Sequence, residues 1–221
     1  MPKFARLVVP GYPHHVTQRG VRRQKTFFDR LDYQSYRRQA EALLKDCTLE
    51  ILAYCLMPNH IHAVVIPKQA DSLAVFFGPL HKKYAQRTNL RYEWTGHLWQ
   101  SRFGSVVMDE RHTLVALRYV ELNPVRSGLV DHPHQWPWSS ARGNLGLVND
   151  ALVPHRGALE IVPAWDDYLA TREKKGELDQ LRRQTWTGRP DGNRKFIDEI
   201  EKNTGRRVRR RKVGRKKKYG D

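Results

Sequence analysis

Leu49-Glu50-Ile51-Leu52-Ala53-Tyr54-Cys55-Leu56-Met57-Pro58-Asn59-His60-Ile61-His62-Ala63-Val64-Val65-Ile66 holds two nearly continuous apolar runs that meet at a Pro-Asn turn signal. Runs of this length and composition, separated by turn residues, predict a β-hairpin at the centre of a sheet. Strand side chains alternate faces, so His60 and His62 point the same way. Two imidazoles on one face of a strand can converge on a metal ion. His-x-His also occurs by chance in many sheets, so the pair alone reads more readily as two ordinary half-buried histidines.

Working outward, a short β-prone piece over residues 12–18 follows Pro10 and Pro13 and is broken by Gly20. Asp32 can cap a helix through Asp46, with Tyr36, Ala40, Leu43 and Leu44 as its buried stripe. After the hairpin, residues 71–88 repeat the helical pattern. Leu73, Phe76, Phe77, Leu80 and Tyr84 face the sheet, Lys82, Lys83 and Arg87 lie outside, and Gly78-Pro79 interrupts the middle. A fourth strand is expected over 98–107, and Asp109 caps a third helix that runs to Asn123, where Pro124 stops it. The order β-α-β-β-α-β plus a helix predicts an α+β, ferredoxin-like antiparallel sheet, with helices on one face and the other face free for a site.

The aromatic segment Trp136-Pro137-Trp138-Ser139-Ser140-Ala141 should fold back on this core. The chain then divides into residues 1–145, a small helical extension over 146–205 with helices near 166–173 and 194–203, and a basic tail over 206–221. From Arg206 to Lys218, ten of thirteen residues are Lys or Arg, including Arg207, Arg209, Arg210 and Arg211. Such a block repels itself, suits phosphates and is expected to stay disordered until it meets a partner.

Charge narrows the partners. In 221 residues, 40 Lys and Arg against 23 Asp and Glu give a formal net charge of +17, which favours a polyanion such as nucleic acid. No apolar run approaches spanning length and the first residues lack a signal peptide's apolar core, so the expectation is a cytoplasmic protein with no membrane partner. The two cysteines, Cys47 and Cys55, have no C-x-x-C spacing and read as small buried hydrophobes.

The third helix carries the companions of the histidine pair. Tyr119 and Asn123 are four apart and share a helical face. A carboxamide oxygen beside two imidazoles gives a mixed N/N/O site for Mg2+ or Mn2+, with positions left open for a phosphate oxygen. A tyrosine one turn away could attack that phosphate if a cation offset its weak nucleophilicity, since the phenol pKa is ordinarily about 10.

Met57-Pro58-Asn59-His60-Ile61-His62 followed by Tyr119-Val120-Glu121-Leu122-Asn123-Pro124-Val125-Arg126-Ser127-Gly128-Leu129-Val130 resembles the single-tyrosine HUH transposases, specifically the REP-associated tyrosine transposases of bacteria. His15-Val16-Thr17-Gln18-Arg19-Gly20, Leu98-Trp99-Gln100-Ser101-Arg102-Phe103 and Trp138-Ser139-Ser140 fit the same family in the same order, and Thr187-Gly188-Arg189-Pro190 echoes a C-terminal extension of some members. The resemblance covers about residues 4–145. It implies that residues 1–145 are the catalytic domain, that His60, His62 and Asn123 hold a divalent ion, Mg2+ or Mn2+, and that Tyr119 is the nucleophile. Tyr119 would form a 5′-phosphotyrosine with single-stranded DNA and release a 3′-OH, whose return attack rejoins strands. The implied substrates are imperfect hairpins of repetitive extragenic palindromes with a short single-stranded guide beside the stem. Related enzymes often act as dimers, so a homodimer is among the expected partners, although no dimer seam is evident in the sequence.

Other readings stand beside this one. His15 could reach the metal, orient a phosphate or simply pack, while His14 must face the opposite side of a regular strand. Arg19, Gln100 and Arg102 are candidate DNA contacts, although a solvated face is the commoner outcome for such residues. Glu121 lies off Tyr119's face and is not proposed as a base. A water-using binuclear hydrolase lacks its further Asp-His ligands after His62. A catalytically quiescent DNA-hairpin-binding protein derived from a transposase would keep all of these residues, and the basic tail fits both versions.

Overall fold

The structure is a computed structural model that describes residues 5–153, 158, 161–171 and 174–209. Its frame is a four-stranded sheet of β1 (His14–Arg19), β2 (Leu49–Met57), β3 (His60–Pro67) and β4 (Gly104–Val107), in the order β2-β3-β1-β4. All neighbouring strands are antiparallel. The central helices are α1 (Arg30–Leu44), α2 (Ser72–Arg91) and α3 (Glu110–Glu121), which confirms the ferredoxin-like α+β order. Shorter helices α4 (Asn123–Arg126), α5 (Ala141–Asn144) and α6 (Trp165–Ala170) follow, then α7 (Lys175–Thr187) and α8 (Arg194–Thr204).

Pleat alternation sorts the strand residues. Val16, Ile61, Ala63 and Val65 point to one face, where they pack with Tyr33, Tyr36 and Ala40 of α1 and Leu73, Phe76, Phe77, Leu80 and Tyr84 of α2. Ala53, Cys55, Met57, Val64 and Val106 point to the other, where Val115, Ala116, Leu117 and Val120 of α3 cover them. This second face is therefore only partly open, which corrects the expectation of a free face. The apolar residues on both sides of β2 and β3 need cover on both sides, and α3 supplies it. The extension shares the same core, because Trp165, Leu169 and Leu181 pack with α3.

Several local expectations shift. Asp29, not Asp32, caps α1, accepting from the Asp32 amide at 3.1 Å. Asp32 is buried and takes Arg87 and Arg91 of α2, each at 2.9 Å, so Arg87 clamps the two helices together instead of standing outside. Pro79 leaves α2 unbroken, since the carbonyl it deprives of a donor belongs to Val75 on the solvent side, 49% exposed. The fourth strand is shorter than expected. Residues 98–103 wrap over α2, with the Trp99 indole donating to the His81 carbonyl at 3.0 Å. Asp109 caps α3 as expected, but the helix ends at Glu121 and Pro124 sits in the first turn of α4. Helix α7 was not foreseen, and α6 and α8 fall near the expected segments. Trp136 and Trp138 fold back on the core as expected.

The basic tail begins inside the fold. Arg206 donates to the carbonyls of Arg6 and Ala5 at 3.0 and 2.7 Å, Val208 is buried, and Arg209 pairs with Asp198 and Glu201. The first tail residues are thus held by α8 and residues 5–6, contrary to a disordered block from 206 onward. Arg207 is exposed, and Arg210 and Arg211 lie outside the described residues. Among the described residues, no helix is long and apolar enough to cross a membrane.

One buried carboxylate fixes how α3 sits. Glu121 is fully buried and accepts from Ser140 Oγ at 2.7 Å, Asn144 Nδ2 at 2.6 Å and Trp165 Nε1 at 2.7 Å. Asn144 also donates to the Leu52 carbonyl at 3.0 Å, and Ser140 Oγ accepts from the Tyr54 amide at 3.0 Å, which ties the cluster to β2. Burial pushes the Glu121 carboxyl up, while its three donors oppose that shift. Replacing Glu121 with Ala strands these donors, at about 1–3 kcal/mol for a buried unsatisfied group. Urea unfolding of Glu121→Ala should show a loss of about 3 kcal/mol; a loss under about 1 kcal/mol would mean that the cluster does not hold the helix.

Candidate nucleic-acid active site

Register brings the site together. Thr17 lies opposite His62 and Arg19 opposite His60 across β1 and β3, so His15, Thr17, Arg19, His60 and His62 all share the α3 face. Tyr119 projects from α3 toward them, its ring centroid 5.4 Å from His62 and 6.2 Å from His15. The rings of His60 and His62 are 4.9 Å apart. These residues line a cavity of about 310 Å³ with Arg19, Gln100 and Arg102, six of the expected candidates beside Tyr119 itself. Three guanidinium groups around it, Arg19, Arg102 and Arg182, make it a place for an anion.

Each histidine has a second partner that orients it. His60 Nδ1 meets Asn59 Oδ1 at 2.6 Å, and His62 Nδ1 meets His15 Nε2 at 2.9 Å. Nε2 of His60 and of His62 has no hydrogen-bond partner among the described residues. His15 uses both nitrogens, since its Nδ1 lies 3.2 Å from Thr185 Oγ1, so its place is behind His62 and not in a ligand set. His14 faces the opposite side, as alternation requires, accepting from the Val9 amide at 3.1 Å. Burial pushes the His14, His15 and His60 imidazoles down to about 4, with Arg19 adding to the effect at His60. His62 is pushed well below its ordinary value by burial, then by the neighbouring His60 and His15.

Asn123 opens α4 one turn beyond Tyr119, buried, and does not line the cavity. Among the described residues, its Nδ2 has no hydrogen-bond partner. Arg126 on the same short helix donates to the Tyr119 carbonyl at 3.0 and 2.8 Å and places its guanidinium 4.4 Å from the Tyr119 ring centre. Glu121 points away into its buried cluster, consistent with its exclusion as a base. Among the described residues, no three His, Cys, Asp or Glu stand in a metal-holding group.

Sequence reasoning missed one wall. Leu181, Arg182, Thr185 and Trp186 of α7 line the cavity, and the Trp186 indole is 68% exposed at its rim. The signal was present but thin. Leu178 and Leu181 lie at helical spacing, and Gly188 ends the helix in a left-handed conformation at φ 71.

With the fold and the cavity described, sequence comparison gives the family. The family described as "Transposase IS200 like" matches residues 9–123, and the chain belongs to that family. Relatives of the chain include proteins named as REP-associated tyrosine transposases. One from Escherichia coli K12 is 23% identical over 141 residues, 63% of this chain and 82% of the relative. A Haemophilus influenzae protein assigned to the same group is 28% identical over 103 residues, 41% of this chain, and the match spans 58% of that relative's length. The solved structure of a REP-associated tyrosine transposase bound to a REP hairpin shares the fold, with a TM-score of 0.57 at 21% identity over 66% of this chain and 86% of that one.

The buried histidines give the fold a pH dependence. The folded values of His14 and His15, about 4, lie below the unfolded value, about 6.5. As pH falls through that interval the unfolded chain takes protons that the folded chain refuses, so stability declines from about pH 6.5 to about pH 4 and these groups add no further loss below it. Urea titrations across this range should show the decline, up to about 3 kcal/mol for each ring. Flat stability would mean that these rings are hydrated or already charged in the fold.

Proposed function

We propose that the chain cleaves and rejoins single-stranded DNA beside hairpins of the REP type, through a covalent 5′-phosphotyrosine at Tyr119. The observation that carries this reading is the placement of Tyr119 against His62 and His60 in an arginine-lined cavity, within a fold shared with a hairpin-bound transposase. A phosphate entering this cavity meets Arg19, Arg102 and Arg182, which offset its charge and orient it toward the phenol. The Tyr119 oxygen attacks phosphorus, the phenol proton passes to solvent water, and a P–O bond forms as the bond to the 3′ oxygen breaks. That oxygen departs as a 3′-OH after taking a proton. The reverse attack by a 3′-OH restores a phosphodiester and frees the tyrosine, so bond energy is conserved and no nucleotide cofactor is needed.

The donor set fits a divalent cation, Mg2+ or Mn2+. Among the described residues, the Nε2 of His60 and of His62 and the Nδ2 of the buried Asn123 have no hydrogen-bond partner, and the nitrogen and oxygen assignments of that amide are interchangeable. When bound there, the cation would supply charge neutralisation of the phosphate and polarise it for attack. Arg126 holds the Tyr119 backbone and lies close to its ring, which fixes the nucleophile's position. At the rim, Trp186 offers an exposed indole on which an unpaired base beside the hairpin can stack.

Incubating the protein with hairpin oligonucleotides carrying a single-stranded flank and Mn2+ should give a denaturation-resistant protein–DNA adduct, absent in Tyr119→Phe. No adduct from the wild type across several hairpins, or an adduct that survives in Tyr119→Phe, would sink the proposal. Strong hairpin binding without cleavage would instead favour a quiescent binding protein. Trp186→Ala should weaken binding of flanked hairpins by about 1–3 kcal/mol while leaving blunt hairpins nearly unchanged. Equal losses on both substrates would exclude a stacking role.

A further inference from the structure

We infer that Thr185, on a helix beyond the matched family segment, sets the tautomer of His62 and thereby its competence as a metal ligand. This rests on the metal-dependent reading above and concerns a residue that acts through two others. Thr185 has one hydroxyl proton, and its Oγ1 donates it to the Leu181 carbonyl one turn back at 2.8 Å. Toward His15 Nδ1, at 3.2 Å, the same oxygen can then only accept. His15 Nδ1 therefore carries the proton, and in the neutral ring Nε2 is left as an acceptor. Its partner at 2.9 Å is His62 Nδ1, which must be the donor. With its proton on Nδ1, neutral His62 presents Nε2 as a lone pair, the form in which an imidazole binds a metal.

His60 reaches the same state by a separate route. Asn59 Nδ2 donates to the Arg23 carbonyl at 3.1 Å, which settles the orientation of the amide and turns Oδ1 to His60 Nδ1 at 2.6 Å. Nδ1 of His60 is thus also the protonated nitrogen. The two rings are poised alike, one by the turn preceding β3 and the other by α7. Without the hydroxyl at position 185, His15 loses its acceptor and is free to protonate Nε2. His62 Nδ1 then becomes the acceptor, and its own proton moves to Nε2, where it blocks a cation.

The test reads the tautomers directly. In metal-free wild type, ¹⁵N-edited imidazole NMR should show His62 protonated on Nδ1 and bare on Nε2. Thr185→Val, which keeps side-chain shape but loses the hydroxyl, should shift His62 toward the Nε2-protonated form. It should also weaken Mn2+ binding, measured by calorimetry, by about tenfold or more. Thr185→Ser should restore both, and circular dichroism should show all variants folded. An Nε2-protonated His62 in the wild type, or a tautomer unchanged in Thr185→Val, overturns the inference. If the tautomers and Mn2+ affinities behave as described but no DNA adduct ever forms, the relay stands and the strand-transfer reading falls.

Discussion

The rotation of α3 about its own axis is the constraint on which the site depends, and Glu121 sets it. A buried carboxylate with three donors cannot turn without stranding at least one of them. Those donors come from Ser140 and Asn144, which are bonded to β2, and from Trp165 in the extension. With Glu121 turned inward to this cluster, Tyr119, two residues earlier, faces the opposite flank and the histidines of β1 and β3. A side chain turned away from the cavity thus aims the one proposed as nucleophile. The buried charge is costly in isolation, and its value lies in specifying one orientation.

The sheet contributes the other half of the geometry. Antiparallel pairing of β1 with β3 in the observed register gathers His15, His60 and His62 on a single face, and a slip of one residue would send the β3 histidines to the α1–α2 side. The apolar residues that alternate with them, Ile61, Ala63 and Val65 in one direction and Val64 in the other, penalise such a slip. The core therefore guards the arrangement of the polar groups.

Much of this was legible in the sequence because the signals were local. The hairpin followed from two apolar runs around Pro58-Asn59, α3 from its Asp109 cap, and the His60, His62 and Tyr119 grouping from their motif. What escaped depends on distant partners. Whether Asp29 or Asp32 caps α1 is decided by Arg87 and Arg91, which arrive from α2 and claim Asp32. Leu98, Trp99 and Phe103 are apolar because they pack with α2, so their presence imitated a longer strand. Helix α7 has a narrow apolar edge, with Leu181 its only fully buried side chain, and nothing near Thr185 or Trp186 announces that both reach the cavity. Likewise, Arg206 and Arg209 read as free cations until the acceptors at Arg6, Asp198 and Glu201 come into view.

The segment shared across the family ends at Asn123, whereas the cavity is completed by residues 181–186. The inherited unit and the physical unit have different borders. A helix attached outside the common core can diverge without disturbing the sheet, yet here it supplies a cation, an indole and a hydroxyl to the space where chemistry is proposed. Altering α7 would amount to reshaping the mouth of the cavity while leaving in place the sheet and α3 that hold its histidines and tyrosine.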